Sequence, residues 1–236
     1  MTAITVIVNL HREGRLCLST LQSVTAAADH ARTRGLPCEI LVVIDRGDEA
    51  TARALLPFAA RVRVETCDFG DLAAARNYGV TRSAGEFIAF IDGDDLMGSN
   101  WLATAADTVA RNADREIVAH PRFNFVFGEG LTPRILMHPD MDEEPVDLAF
   151  LRGANLWTAL SFARAEIYRR FPYKPNAIER GFGYEDWSWN VETVNAGIVH
   201  LAPAGTIHFI RRKASGSLLT LSSQNHILPN LPVPWE

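Results

Sequence analysis

Apolar residues fall along this chain in two rhythms. Unbroken runs at Ala3 to Val8, Glu39 to Ile44 and Phe87 to Ile91 are bounded by polar turns, the pattern of strands covered on both faces in a parallel sheet. From Arg15 to Arg34, Cys17, Leu21, Val24, Ala28 and Ala31 recur at steps of four and three, which predicts an amphipathic helix. Ala50 to Phe58 predicts another helix and Arg61 to Glu65 a short strand. An alanine-rich helix capped by Asp71 follows, and Trp101 to Asn112 carries Leu102, Ala105, Ala106 and Val109 on one side. Strand and helix alternate, so right-handed parallel crossovers are expected and the fold class is α/β.

Beyond Glu116 the pattern changes. Ile117 to Ala119 and Phe123 to Phe127 read as strands separated by Pro121, and Gly128 to Val146 as an irregular acidic loop lying over a site. Asn155 to Ala163 predicts a strand, Arg164 to Phe171 a short helix, and Glu185 to Ala196 a helix stopped by Gly197. With no repeat and no low-complexity linker, residues 1–236 are expected to form one domain: a first half at 1–115, a second fused to it at 116–220, and a tail at 221–236.

Composition removes several classes of function. The net charge of −5 lacks the basic excess of a nucleic-acid binder. No apolar run approaches the roughly 18 residues of a membrane span, so a cytosolic protein is expected, with attachment at the inner membrane face only through a partner. Cys17, Cys38 and Cys67 are odd in number and widely spaced, which suggests neither disulfides nor a zinc site.

The chemistry concentrates at two places. The run Phe87 to Ile91 breaks into Asp92-Gly93-Asp94-Asp95, and ligands of open α/β sheets gather at such carboxyl ends. Three carboxylates within four residues suit Mg²⁺ or Mn²⁺ holding phosphate oxygens, with an ordinary Asp-Gly turn as the plain alternative. Arg76, on the helix before that strand, is placed to pair with them. The second place is Gly181-Phe182-Gly183-Tyr184-Glu185-Asp186-Trp187, where adjacent carboxylates start a helix among aromatics. Capping is the plain use of such acids; removing a proton from a hydroxyl is the chemical one, and the aromatics suit either core packing or a sugar ring.

Asp45 after the second strand, Gly70-x-x-Ala73-x-Ala75-Arg76-Asn77-x-Gly79, Gly85-Glu86 leading to Asp92-x-Asp94-Asp95, and Glu185-Asp186-Trp187 together resemble glycosyltransferase family 2, from about Thr5 to Ser217. The resemblance implies the GT-A fold: a Rossmann-like, mostly parallel central sheet with helices on both faces, a nucleotide-sugar half and a smaller acceptor half. It implies a metal-dependent, inverting enzyme with Mn²⁺ or Mg²⁺ as cofactor. The donor would be a nucleotide-diphosphate sugar and the acceptor a hydroxyl on a sugar, lipid-linked glycan or small molecule. Carried over, the donor positions are Val8, Leu10, Asp45, Arg46, Arg76, Asp92, Gly93 and Asp94. Asp92 would meet the ribose and Asp94 the metal, Asp186 would be the general base with Glu185 beside it, and Tyr184 and Trp187 would face the acceptor.

The chain departs from the family pattern in three places. Leu10 and His11 stand where an aromatic and Asn are usual, Arg46 stands for a second aspartate, and Arg211-Arg212-Lys213 stands for Arg-Arg-His. A protonated lysine cannot ligate a metal, which leaves nearby His208 as the substitute ligand; Arg211, Arg212 and Lys213 also make a sensible phosphate clamp. A nucleotidyltransferase, a silent nucleotide-sugar or carbohydrate binding module and a structural subunit stay open as alternatives.

Overall fold

The computed structural model of the protein describes residues 3–213 and 227–231. Expectations placed on 214–217 and on the end of the tail lie outside the described residues. The elements in chain order are β1 (Ile4–Leu10), α1 (Cys17–Thr33), β2 (Cys38–Asp45), α2 (Glu49–Ala54), β3 (Arg63–Cys67), α3 (Leu72–Arg82), β4 (Phe87–Asp92), β5 (Leu96–Met97) and α4 (Trp101–Arg111). There follow β6 (Ile117–Ala119), β7 (Phe123–Gly128), β8 (Arg134–Met137), α5 (Leu148–Gly153), β9 (Phe162–Arg164) and α6 (Ala165–Arg170). The remainder are β10 (Phe182–Gly183), α7 (Glu185–Asn195), β11 (Val199–Leu201), β12 (Ile207–Arg212) and β13 (Leu228–Pro229).

Seven strands form the central sheet in the order β11-β6-β9-β4-β1-β2-β3, all parallel except β9. All seven residues of β1 are buried, as a strand with helices on both faces requires. One apolar layer joins Val6, Val8, Val42 and Ile91 to Leu21 and Val24 of α1 and to Trp101 and Leu102 of α4. The other joins Ile7, Val43 and Phe90 to Ala73 and Ala75 of α3, Tyr168 of α6 and Trp189 of α7. Burying each large side chain is worth about 1.5–3 kcal/mol, so the two layers fix where the ends of β1, β2 and β4 lie.

A second sheet, β5-β12-β7-β8, is continuous in chain with the acidic end of β4, because β5 starts one residue after Asp95 and pairs with β12. It carries His208, Arg211 and Arg212 back toward that end.

Several expectations are corrected. The loop expected from Gly128 to Val146 contains β8, an edge strand paired with β7. The strand expected over Asn155 to Ala163 shrinks to Phe162–Arg164; in the preceding segment Trp157 Nε1 bonds the Pro139 carbonyl and the Thr158 amide bonds His138 Nε2, contacts of an irregular strap. Pro57 divides the helix expected over Ala50 to Phe58, leaving α2 and a single 3₁₀ turn. The three cysteines are free thiols, each pushed up to about 11 chiefly by burial.

Candidate active site

The parallel strands end together in polar residues, and the register brings them side by side. Asn9 of β1 lies opposite Asp92 of β4, and Asp45 ends β2 opposite Cys67 of β3. A Cβ on Gly93 would fall 2.2 Å from Leu10 Cδ2 and 2.8 Å from the Asn9 carbonyl, so only glycine fits between Asp92 and Asp94. Thr20 of α1 donates to the Gly93 carbonyl at 2.9 Å and holds the turn against the helix.

Arg76 is the centre of the site. It projects from α3 into the protein, 1 % exposed, between the rings of Phe90 and Tyr173 at 5.9 and 5.3 Å. Its Nη2 donates to Asp92 Oδ1 at 2.7 Å, and its Nη1 lies 3.5 Å from Glu185 Oε1. One buried guanidinium therefore joins the acid at the tip of β4 to the acid pair that begins α7. Burial opposes its charge, but Asp92 and Glu185 outweigh that and hold Arg76 firmly protonated.

Glu185 is 4 % exposed, and burial pushes its carboxyl up to about 7 against the pull of Arg76. Asp186 is half-buried, and its carboxyl is likewise raised by burial. Asn155 Nδ2 donates to Asp186 Oδ2 at 3.2 Å, and Asn155 is held in turn by Asn190 of the same helix. Neither acid caps the helix. The N-cap is Tyr184, in the left-handed region at φ 55°, a strained position of the kind found where a site over-determines the backbone.

At the tip of β4 the other two acids also have partners. Lys213 Nζ lies 2.8 Å from Asp94 Oδ2 and 4.0 Å from Glu13 Oε1. Burial and the neighbouring Asp95 push Asp94 up to about 6 although Lys213 pulls it down. Asp95 accepts from the Arg211 amide at 2.7 Å and lies 3.0 Å from His208 Nε2.

The remaining expected positions are dispersed. Val8 points into the α1 side of the core and offers no side chain to a ligand. Asp45 accepts from the amides of Phe69, Gly70 and Asp71, so it builds the loop before α3. Arg46 bonds Asp68 at 2.6 Å and borders a cavity of about 410 Å³ lined by Ile44, Gly47, Thr66 and Cys67, beyond the ends of β2 and β3. Trp187 donates to the Leu151 carbonyl at 2.7 Å and meets the Tyr184 ring edge-on at 5.8 Å, both half-exposed beside Asp186.

Residues 5–169 match the family model described as Glycosyl transferase family 2. The chain belongs to that family. Its α/β architecture is that of GT-A glycosyltransferases. Similar solved structures include S. aureus TarS 1-349 in complex with UDP-GlcNAc, at TM-score 0.67 and 17% identity over 93% of this chain. Another is glucosyl-3-phosphoglycerate synthase from M. tuberculosis in complex with Mn²⁺, UDP and phosphoglyceric acid, at TM-score 0.62 and 16% identity over 95% of this chain. The chain spans 61% of the TarS chain and 75% of the synthase. No curated protein sequence matches it. No helix among the described residues is long and apolar enough to cross a membrane.

The two metal ligands expected here, Asp94 and His208, are not brought together. Among the described residues no group of three or more His, Cys, Asp or Glu side chains is arranged to hold a metal ion. His208, expected beside Asp94, is turned to Asp95 and to Thr158 Oγ1 at 3.2 Å and is 2 % exposed. The cause is register: His208 pairs with Met97, which aims its ring under the β4–β5 turn and away from Asp94. Asp94 itself faces an ammonium.

Two residues of this site, Asn9 and Asn155, belong to no motif in the sequence. Asn9 is 5 % exposed and both atoms of its amide are without a hydrogen-bond partner; its signal was one polar residue near the end of an apolar strand. Asn155 touches Asp186 across a fold contact that no local pattern announces.

Proposed function

We propose that this glycosyltransferase domain moves a sugar from a nucleotide-diphosphate donor to an acceptor hydroxyl with inversion. The observation that carries the reading is the buried Arg76, which ties Asp92 on the donor side to the Glu185–Asp186 pair on the acceptor side. Donor phosphates and ribose lie at the tip of β4, and the acceptor lies against Tyr184 and Trp187.

Asp186 is the general base. It is the more exposed of the two acids, and Asn155 orients one of its oxygens. A carboxylate raised toward neutrality is better matched to a hydroxyl proton than an ordinary aspartate. Glu185, deeper and nearer Arg76, anchors the start of α7. The acceptor oxygen bonds to the anomeric carbon from the face opposite the diphosphate, the bond from that carbon to the phosphate oxygen breaks, and the acceptor proton ends on Asp186. No step is routed through Mn²⁺ or Mg²⁺, since the donor set does not fit one. TarS and the synthase hold UDP-based ligands, which makes uridine the first base to try.

The test separates binding from transfer. Asp186→Asn is expected to keep the thermal shift given by nucleoside diphosphates while transfer falls by roughly 10²-fold or more. Equal loss of both refutes the role given to Asp186. Donor binding without release of nucleoside diphosphate in the unaltered protein marks a binding module instead.

A further inference from the structure

Among the described residues each acid at the tip of β4 has its own cationic or amide partner. Arg76, which holds Asp92, is 1 % exposed, and His208, against Asp95, is 2 % exposed. Lys213 has a side chain 27% exposed and sits directly after β12, with its ammonium 2.8 Å from Asp94 and 4.0 Å from Glu13. Arg211 Nε donates to the Asp94 carbonyl at 3.1 Å while its guanidinium covers Phe127, which fixes the strand end that carries Lys213. Arg212, half-buried, ends β12 between them in the chain. Asn9, buried opposite Asp92 in the register, is a second polar group at this tip, with neither atom of its amide hydrogen-bonded.

Resting on the glycosyltransferase reading, we propose that Lys213 is the cation that receives the donor's diphosphate, so that nucleoside-diphosphate binding at this site needs no divalent metal. An ammonium is a compact point charge with three donors, suited to phosphate oxygens. Asp94 and Glu13 aim it, and Asp94 acts as a positioning residue rather than a metal ligand. When the bond from the anomeric carbon to the phosphate oxygen breaks, the electron pair goes to that oxygen, and Lys213 stabilises the added charge without giving up a proton. A divalent ion on Asp94 would have to settle within a few ångströms of the same ammonium, against like-charge repulsion.

The experiment is titration calorimetry of the full chain with UDP, GDP, ADP, CDP and dTDP, each in EDTA and again in Mn²⁺. At least one is expected to bind in EDTA, with Kd changed by less than about threefold on adding Mn²⁺. Lys213→Ala is expected to weaken that binding by about tenfold or more, the worth of a charged hydrogen bond, with an unchanged circular dichroism spectrum. Lys213→Arg keeps the charge and recovers most of the loss. Binding by the unaltered chain only in Mn²⁺ overturns the proposal and leaves the glycosyltransferase reading standing. Lys213→Ala binding as tightly as the parent in EDTA also overturns it. No binding of any nucleotide in either condition overturns both.

Discussion

Replacing Arg76 by Met keeps the length of the side chain in the aromatic slot and removes the charge that two acids share. Breaking a buried ion pair by removing one partner costs about 3–5 kcal/mol, because the other charge is left unpaired. Asp92 has a side chain 34% exposed and is rescued by water, whereas that of Glu185 is 5% exposed and is not. The loss therefore belongs near the lower bound, about 3 kcal/mol, or roughly 6–12 °C in Tm for a domain of this size. The sign of its pH dependence follows from Glu185. Its folded-state value, about 7, lies above the ordinary 4.5, so the folded form holds the proton more tightly, and the penalty of its charge sets in as pH rises from 4.5 through 7. Without Arg76 that value rises further, so the deficit relative to the parent is greatest at pH 8, shrinks by up to about 1.4 kcal/mol per pH unit as pH falls toward 7, and is level below that, where both folded proteins hold the proton. Urea denaturation of both proteins at pH 5.5, 7 and 8 measures this. A deficit that is the same at all three values, or below about 1 kcal/mol at pH 8, refutes the view that Arg76 chiefly neutralises a buried acid.

Three further outcomes follow from the same geometry. Burial pushes His138 and His200 down to about 3 and lowers His120 as well, while the unfolded chain takes up protons near 6.5; stability is full above 6.5 and is lost as pH falls toward 3, at about 1.4 kcal/mol per histidine per pH unit. His200→Gln should flatten that acid limb by one such increment, and an unchanged slope would mean that His200 takes up no proton on unfolding. Gly85→Ala places a Cβ 2.5 Å from the Thr5 amide and 2.9 Å from the Ile4 carbonyl carbon, both backbone of β1, so a loss of at least about 2 kcal/mol is expected in urea denaturation, and a change within about 0.5 kcal/mol would contradict it. Asn155→Ala removes a bond that lowers the Asp186 carboxyl, so the acid limb of the pH–rate profile should move to higher pH with nucleotide affinity kept; a limb that stays put assigns Asn155 no part in setting the base.

The interior strands were legible in the sequence because both of their faces are covered. β1, β2 and β4 read as unbroken apolar runs, and the structure differs only at their ends. β3 slipped from Arg61–Glu65 to Arg63–Cys67, since an edge strand with alternating exposure has no apolar run to mark its limits. β8 was not legible at all: its four residues are exposed, and only pairing with β7 makes them a strand. The strap from Asn155 misled in the opposite direction, because its apolar composition resembles a strand while its polar atoms are held by Pro139, His138 and Asn190. At the site, the contact between Arg76 and Asp92 could be expected from neighbouring elements, but the reach of Arg76 to Glu185 depends on how α7 packs beneath the sheet. His208 failed as a partner for Asp94 through strand register, which a sequence does not print.

The most direct measurement is the anomeric configuration of the first product. With the nucleotide sugar that gives turnover, proton NMR of the glycoside product reads the configuration of the new linkage. With Asp186 as the base, the acceptor oxygen attacks from the face opposite the diphosphate, which predicts a β-linked product from an α-linked donor. An α-linked product from the same donor would require a double displacement or attack from the leaving-group face, and would contradict the role assigned to Asp186.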